Sequence, residues 1–127
     1  MGRVWLIWGC VFGFLTVAMG AFATHSFQSL LPAKNLQWLA TANTYMAYHT
    51  FALLALGLWS HWEKWASNVV AGCSFVLGIL LFTGSLYGLA FTGIKTFAFI
   101  TPVGGSFFLV GWIAFALSIY RARNPLV

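Results

Sequence analysis

Two histidines, His25 and His49, are the side chains in this chain best able to carry a proton or ligate a metal. His49 sits eight residues after Thr41, inside a long apolar run, which is roughly 12 Å of helix. Ser85, Tyr87 and Thr101 fall at comparable depth in other apolar runs, with Asn43, Tyr45 and Tyr48 above or beside the histidine in its own. Two readings stand side by side. In the first, these groups hydrogen-bond across helices, with His49 bonded to Tyr87 or Ser85, each bond contributing about 0.6 to 2 kcal/mol. In the second, His25, Tyr45, His49, Ser85, Tyr87 and Thr101 line a small pocket for a ligand or proton, since an ionisable group inside a membrane is a functional candidate.

Stronger chemistry lacks its parts. Ser85 with His49 forms a dyad with no acid to orient the imidazole, because Glu63 is the only acidic residue and falls at the opposite end of the elements. No catalytic residue is assigned. His25 and His49 have no thiolate or carboxylate placed to complete a metal site, and their different depths argue against a bis-histidine haem. No metal or cofactor is implied. His61 and Glu63, two residues apart, read as a solvated loop.

The elements that must position these groups follow from charge. Charged residues are 6% of the chain and hydrophobic ones 61%, whereas a soluble domain carries about 25% charged residues. Four runs hold no charge at all: Val4 to Thr24, Ala42 to Trp59, Val69 to Thr92 and Phe97 to Tyr120. Each is close to the roughly 20 residues that cross a bilayer. Backbone in lipid must satisfy itself, so each run is a helix. The expected fold is an all-α integral membrane four-helix bundle, a single domain over residues 1–127. The stretch ending Ala21-Phe22-Ala23 is read as a retained first span, not a cleaved leader.

Pro32 and the apolar spacing of Leu36 and Leu39 predict a short interfacial helical segment before helix 2 and running into it, with a separate interfacial helix as the alternative. Gly93 fits the residue after helix 3. Helix 4 starts either near Phe97 or at Pro102 with Thr101 as its cap. Small residues predict packing seams: Gly9, Gly13 and Gly20 on helix 1, Gly78, Gly84 and Gly88 on helix 3, Gly104 and Gly111 on helix 4. For Gly9 and Gly13 the expectation is packing within the chain, not a dimer contact. The inner half reads as almost wholly apolar, with Cys10 and Cys73 as buried packing thiols.

Net charge is +5, but the cations are scattered singly, which excludes a nucleic-acid footprint. Arg3, Lys64, Arg121 and Arg123 fall on one side of a four-span chain and Lys34 and Lys95 on the other. The excess predicts both termini inside, N-in and C-in. Trp5, Trp59, Trp62 and Trp65 group near the inner boundary and Trp38 near the outer one, with Trp112 an exception deep in helix 4.

Four stretches carry a family resemblance: Gly20-Ala21-Phe22-Ala23-Thr24-His25, Tyr45-Met46-Ala47-Tyr48-His49-Thr50, Phe82-Thr83-Gly84-Ser85-Leu86-Tyr87, and Thr101-Pro102-Val103-Gly104-Gly105 with Gly111-Trp112. In this order they resemble the YgdD-like small inner-membrane proteins, the domain-of-unknown-function 423 family. The family pattern has Gly-Ala where this chain has Ala23-Thr24, and Gln where it has Met46. The resemblance implies a multi-pass protein of the inner membrane and brings no activity with it.

The resulting expectation is a non-enzymatic accessory or structural component of a larger membrane complex, with the lipid bilayer and other membrane subunits or further copies of itself as partners. A small oligomeric transporter or channel with an outer-facing polar pocket is the alternative. A His-dependent redox or lipid-binding protein is a further one.

Overall fold

Apolar runs this long can satisfy their amides only along their own axis, and the computed structural model, described over residues 1–122, is accordingly built of helices joined by short connections. Arg123 lies outside them. Four helices follow one another: α1 (Gly2–Phe27), α2 (Ala33–Trp62), α3 (Ala66–Thr92) and α4 (Phe97–Arg121). Two of them contain a π-helical turn, Ala23–Phe27 at the end of α1 and Ile79–Thr83 in the middle of α3. No strand occurs among the described residues.

Punctuation is local. Pro32, extended at φ −57° and ψ 153°, precedes α2 as its cap, so Ala33 and not Pro32 opens the helix. Gly93 takes φ 69°, a left-handed conformation that favours glycine, and its N–H reaches the Leu89 carbonyl to close α3. Helix α4 begins at Phe97, which leaves Thr101 and Pro102 inside it and decides between the two starts.

Three helices are long and apolar enough to cross a membrane, with mean hydropathies of 2.0, 2.2 and 1.8 for α1, α3 and α4. Helix α2 is built differently. Its 30 residues extend about 45 Å, well beyond a hydrocarbon core of about 30 Å, and the segment before Ala42 is continuous with the rest. It also carries the polar side chains Asn43, His49, Thr50 and Ser60 on faces turned to other helices. Hydropathy therefore marks α2 as the helix that holds the interior together rather than the one that meets most lipid.

Helix pairing follows small residues. Antiparallel α1 lies along α2: Gly2 against the Gly57 carbonyl, Gly9 against Leu54, Gly13 against Thr50, Gly20 against Asn43. Helices α3 and α4 pair in the same way, Gly78 receiving the Phe108 ring, Gly111 the Phe75 ring and Gly104 the Phe82 backbone. Gly88 takes the edge of Phe97. Asn35 and Asn43 of α2 bond to Ala90 and Tyr87 of α3, which joins the two pairs. Helix α1 reaches α3 at its two ends, through Trp5, whose ring lies on Gly72, and through Phe27, whose ring meets Phe91 at 5.1 Å. It is otherwise peripheral, and Phe14 and Val17 on its outer face are each 74% exposed.

Two expectations need correction. Gly84 is no seam residue, since a Cβ there would meet nothing within 4 Å. The π turn just before it adds a residue to the helix, a rotation of roughly 100°, which leaves Thr83 buried and Gly84 outside. Cys10 and Cys73 are also exposed, on the outer surfaces of α1 and α3. Lipid accepts a thiol as readily as a packed interior does, so depth in the span says nothing about facing.

The seam predicts unequal glycine substitutions. Gly104→Ala drives a methyl into the Phe82 backbone, which cannot retreat, and is expected to cost about 1–3 kcal/mol. Gly84→Ala should leave stability level or raise it. Thermal unfolding in a mild detergent separates the two, and equal effects would contradict this packing.

Candidate functional site

A buried imidazole between two helices must find a partner for each ring nitrogen, or lose about 1–3 kcal/mol for each left bare. His49, only 4% exposed, has both. Its Nδ1 is 2.7 Å from the Tyr45 carbonyl oxygen one turn earlier in α2. Its Nε2 is 3.1 Å from Nε1 of Trp112 in α4. A carbonyl can only accept and an indole N–H can only donate. The ring is therefore neutral, with its proton on Nδ1 and Nε2 accepting. The Phe108 ring stacks on it at 3.5 Å between centroids and 7° between planes. Phe75 and Trp112 close the remaining sides.

The expected partners of His49 were Tyr87 or Ser85, and the structure gives neither. Tyr87 donates its hydroxyl to Asn43 Oδ1 at 3.2 Å, and Asn43 Nδ2 donates to the Thr16 carbonyl of α1 at 3.0 Å. That chain ties α3, α2 and α1 together at one level. Ser85 and Thr101 pair with each other at 2.7 Å between α3 and α4, each also within reach of a carbonyl of its own helix. Tyr45 contributes its backbone to His49, while its ring leans on Phe82 at 4.8 Å and is partly exposed. His25 is exposed in the π turn ending α1 and joins none of these groups. The six side chains thus form three separate contacts and one outlier, not one pocket. A shallow groove of about 420 Å³ between Trp38, Leu86, Ala98 and Pro102 reaches Thr101 but is otherwise apolar.

The second polar level lies at the opposite end, where the sequence reads as apolar. Asn68 is fully buried. Its Nδ2 donates to the Glu63 carbonyl at 2.6 Å, and its Oδ1 accepts a short hydrogen bond from the Ser118 hydroxyl. Ser118 in turn accepts from the Trp59 indole at 2.9 Å. The chain Trp59–Ser118–Asn68 joins α2, α4 and α3. Ser60, Ser67 and Asn68, which flank His61 and Glu63 in the sequence, lie inside helices and are buried. His61 is exposed there, and Glu63 accepts from the Trp65 indole at 3.0 Å. The readable signal was Trp112: an indole far from either interface needs an acceptor. Asn68 gave no such signal, because an asparagine beside a charged loop is ordinarily solvated.

A family model described as "Protein of unknown function (DUF423)" matches residues 19–105, most of the chain, including Tyr45, Tyr48 and Tyr87. The chain belongs to this family. A "UPF0382 membrane protein" of Haemophilus influenzae is 41% identical over 112 residues, covering 88% of this chain and 90% of the relative. The "UPF0382 inner membrane protein YgdD" of Escherichia coli strain K12 is 38% identical over 127 residues, covering 96% and 93%. A Staphylococcus saprophyticus "UPF0382 membrane protein" is 38% identical over 119 residues, covering 94% and 98%. No solved structure matches the chain. This DUF423 protein is a multi-pass protein of the inner membrane, and its relatives are uncharacterised membrane proteins. The family match ends at Gly105 and so stops short of Trp112, the partner of His49.

The His49–Trp112 bond gives a direct test. Trp112→Phe keeps most of the ring and strands Nε2, at an expected cost of about 1–3 kcal/mol. In a double-mutant cycle with His49→Phe, the coupling should be about 0.6 to 1.7 kcal/mol. Additive losses in thermal unfolding would show that the two rings do not share a bond. At the other level, Ser118→Ala leaves Trp59 and Asn68 each short of a partner and should lower stability by a similar amount.

Proposed function

We propose that this DUF423 protein is a non-enzymatic structural component of the membrane, built to pack stably and to present its outer faces to other membrane subunits or to further copies of itself. One observation carries the reading. His49, the intramembrane group best suited to move a proton or hold a ligand, has both ring nitrogens committed to Tyr45 and Trp112 and one face covered by Phe108. The Asn43–Tyr87, Ser85–Thr101 and Asn68–Ser118 contacts commit their groups in the same way. Such groups hold helices in register, and a solute entering along them would first have to break those bonds.

In this reading all four helices cross the bilayer as one bundle. Helix α2 tolerates its low hydropathy because its polar side chains are buried against protein. Arg3, Lys64 and Arg121 lie at one end, next to the Trp59–Ser118–Asn68 chain, and Lys34 and Lys95 at the other. That excess supports an orientation with the start of α1 and the end of α4 towards the cytoplasm. The surfaces offered to partners are apolar and extensive, above all the outer face of α1 with Phe14 and Val17 and the outer face of α4 with Leu109 and Ile113.

Solubilisation in a mild detergent followed by native mass analysis is expected to show a multimer or a copurifying subunit. A strictly monomeric species without a partner would contradict the reading. Solute or ion flux in proteoliposomes that disappears in His49→Ala would instead establish a transporter or channel.

A further inference from the structure

One cleft in the molecule combines positive charge, an unused buried hydroxyl and apolar walls. It lies where the start of α1 crosses the end of α2, next to the close contact of Gly2 with Gly57, and encloses about 850 Å³. Arg3 and Lys64 stand at its edge, both exposed, and His61 lines it as well. Among the described residues no carboxylate lines it, and the one acidic side chain of the protein, Glu63, is engaged by the Trp65 indole. Ser60 lies in its wall, is 2% exposed, and has a hydroxyl with no hydrogen-bond partner. The first turn of α1 also opens here with no side-chain cap, so its free amides and the positive end of the helix dipole face the same region.

These features call for an anion, and the walls say which kind. Val4, Leu58 and Trp62 line the same cleft and are 49%, 55% and 71% exposed. A soluble phosphate or sulfate would leave those surfaces unused. A phospholipid would not: its phosphate would pair with Arg3 and Lys64, its chains would run along Val4 and Leu58, and the Trp62 indole would meet the headgroup. We propose that this cleft is a binding site for an anionic phospholipid, taken from the leaflet on the side of Arg3, Lys64 and Arg121. Two cations make an acidic headgroup the better ligand than a zwitterionic one, because a choline or ethanolamine nitrogen would bring a third positive charge into the cleft. The site is independent of the function proposed above, since a structural component and a transporter could equally carry it.

The test uses the full chain, purified and delipidated in a mild detergent, then exposed to phosphatidylglycerol, phosphatidylcholine or inorganic phosphate. Lipid adducts are counted by native mass analysis and stability is followed by thermal unfolding. Phosphatidylglycerol is expected to remain bound as a defined adduct and to raise Tm, while phosphatidylcholine and inorganic phosphate do neither. Arg3→Gln with Lys64→Gln should weaken phosphatidylglycerol binding by roughly 30-fold, each cation near a membrane surface counting about fivefold. Lys34→Gln with Lys95→Gln removes the same charge at the far end and should leave binding unchanged. Equal losses from the two double substitutions would overturn the proposal in favour of diffuse attraction. Equal stabilisation by inorganic phosphate would overturn it in favour of a soluble anion. Full binding in Arg3→Gln with Lys64→Gln would remove the cleft from consideration.

Discussion

A polar group buried between apolar helices must find its partner in the protein, and His49 is where that constraint is tightest. Its two nitrogens face groups of opposite and fixed character, a carbonyl of its own helix and an indole of a distant one. The bond to Trp112 spans the gap between α2 and α4, which backbone contact does not close. Phe108 and Phe75 fill the space around it, and the same two rings fit over Gly78 and Gly111 in the α3–α4 seam. Moving the imidazole therefore disturbs the packing of three helices at once.

The rest of the polar interior obeys the same rule at two levels. Asn43 connects α1, α2 and α3 towards one end, and Asn68 with Ser118 connects α2, α3 and α4 towards the other. Between and around these levels the contacts are small residues against rings or backbone. Lipid offers no hydrophobic drive to bring helices together, so close approach and paired polar groups supply the specificity. A few buried groups are left over: Trp5 Nε1 and the hydroxyls of Thr50, Ser60 and Ser67 have no partner. Three of the four, Trp5, Ser60 and Ser67, lie towards the charged end, where the cleft beside Arg3 opens. An interior so economical elsewhere makes that concentration informative.

The four helices and their order could be read from where the charges are missing, and the Gly93 stop from a single glycine. The α1 seam could be read too, because Gly9, Gly13 and Gly20 recur at α-helical spacing along an unbroken helix. Facing was harder. Gly84 looked like part of a seam, yet the π turn at Ile79–Thr83 re-phases α3, and nothing local in the sequence announces a π turn. Cys10 and Cys73 illustrate the same limit, since apolar neighbours in a span can be protein or lipid. For the candidate site, the depth of His49 could be read but not its partners. Depth depends on position along one helix, whereas partners depend on the rotation of several. Asn68 was missed because a residue near a charged loop is usually met by water, and here the helices extend far enough to enclose it.

The central claim is that His49 is a committed structural group, and its proton position reports on this directly. Nitrogen NMR of the protein in lipid at neutral pH, with labelled histidine and His25→Gln and His61→Gln to isolate one ring, distinguishes the states. The bonding pattern predicts a neutral imidazole protonated at Nδ1, with Nε2 unprotonated and hydrogen-bonded, and loss of that hydrogen-bonded Nε2 signal in Trp112→Phe. A ring protonated at Nε2, or a positively charged imidazolium, would contradict the account and return His49 to the candidates for proton or ligand chemistry.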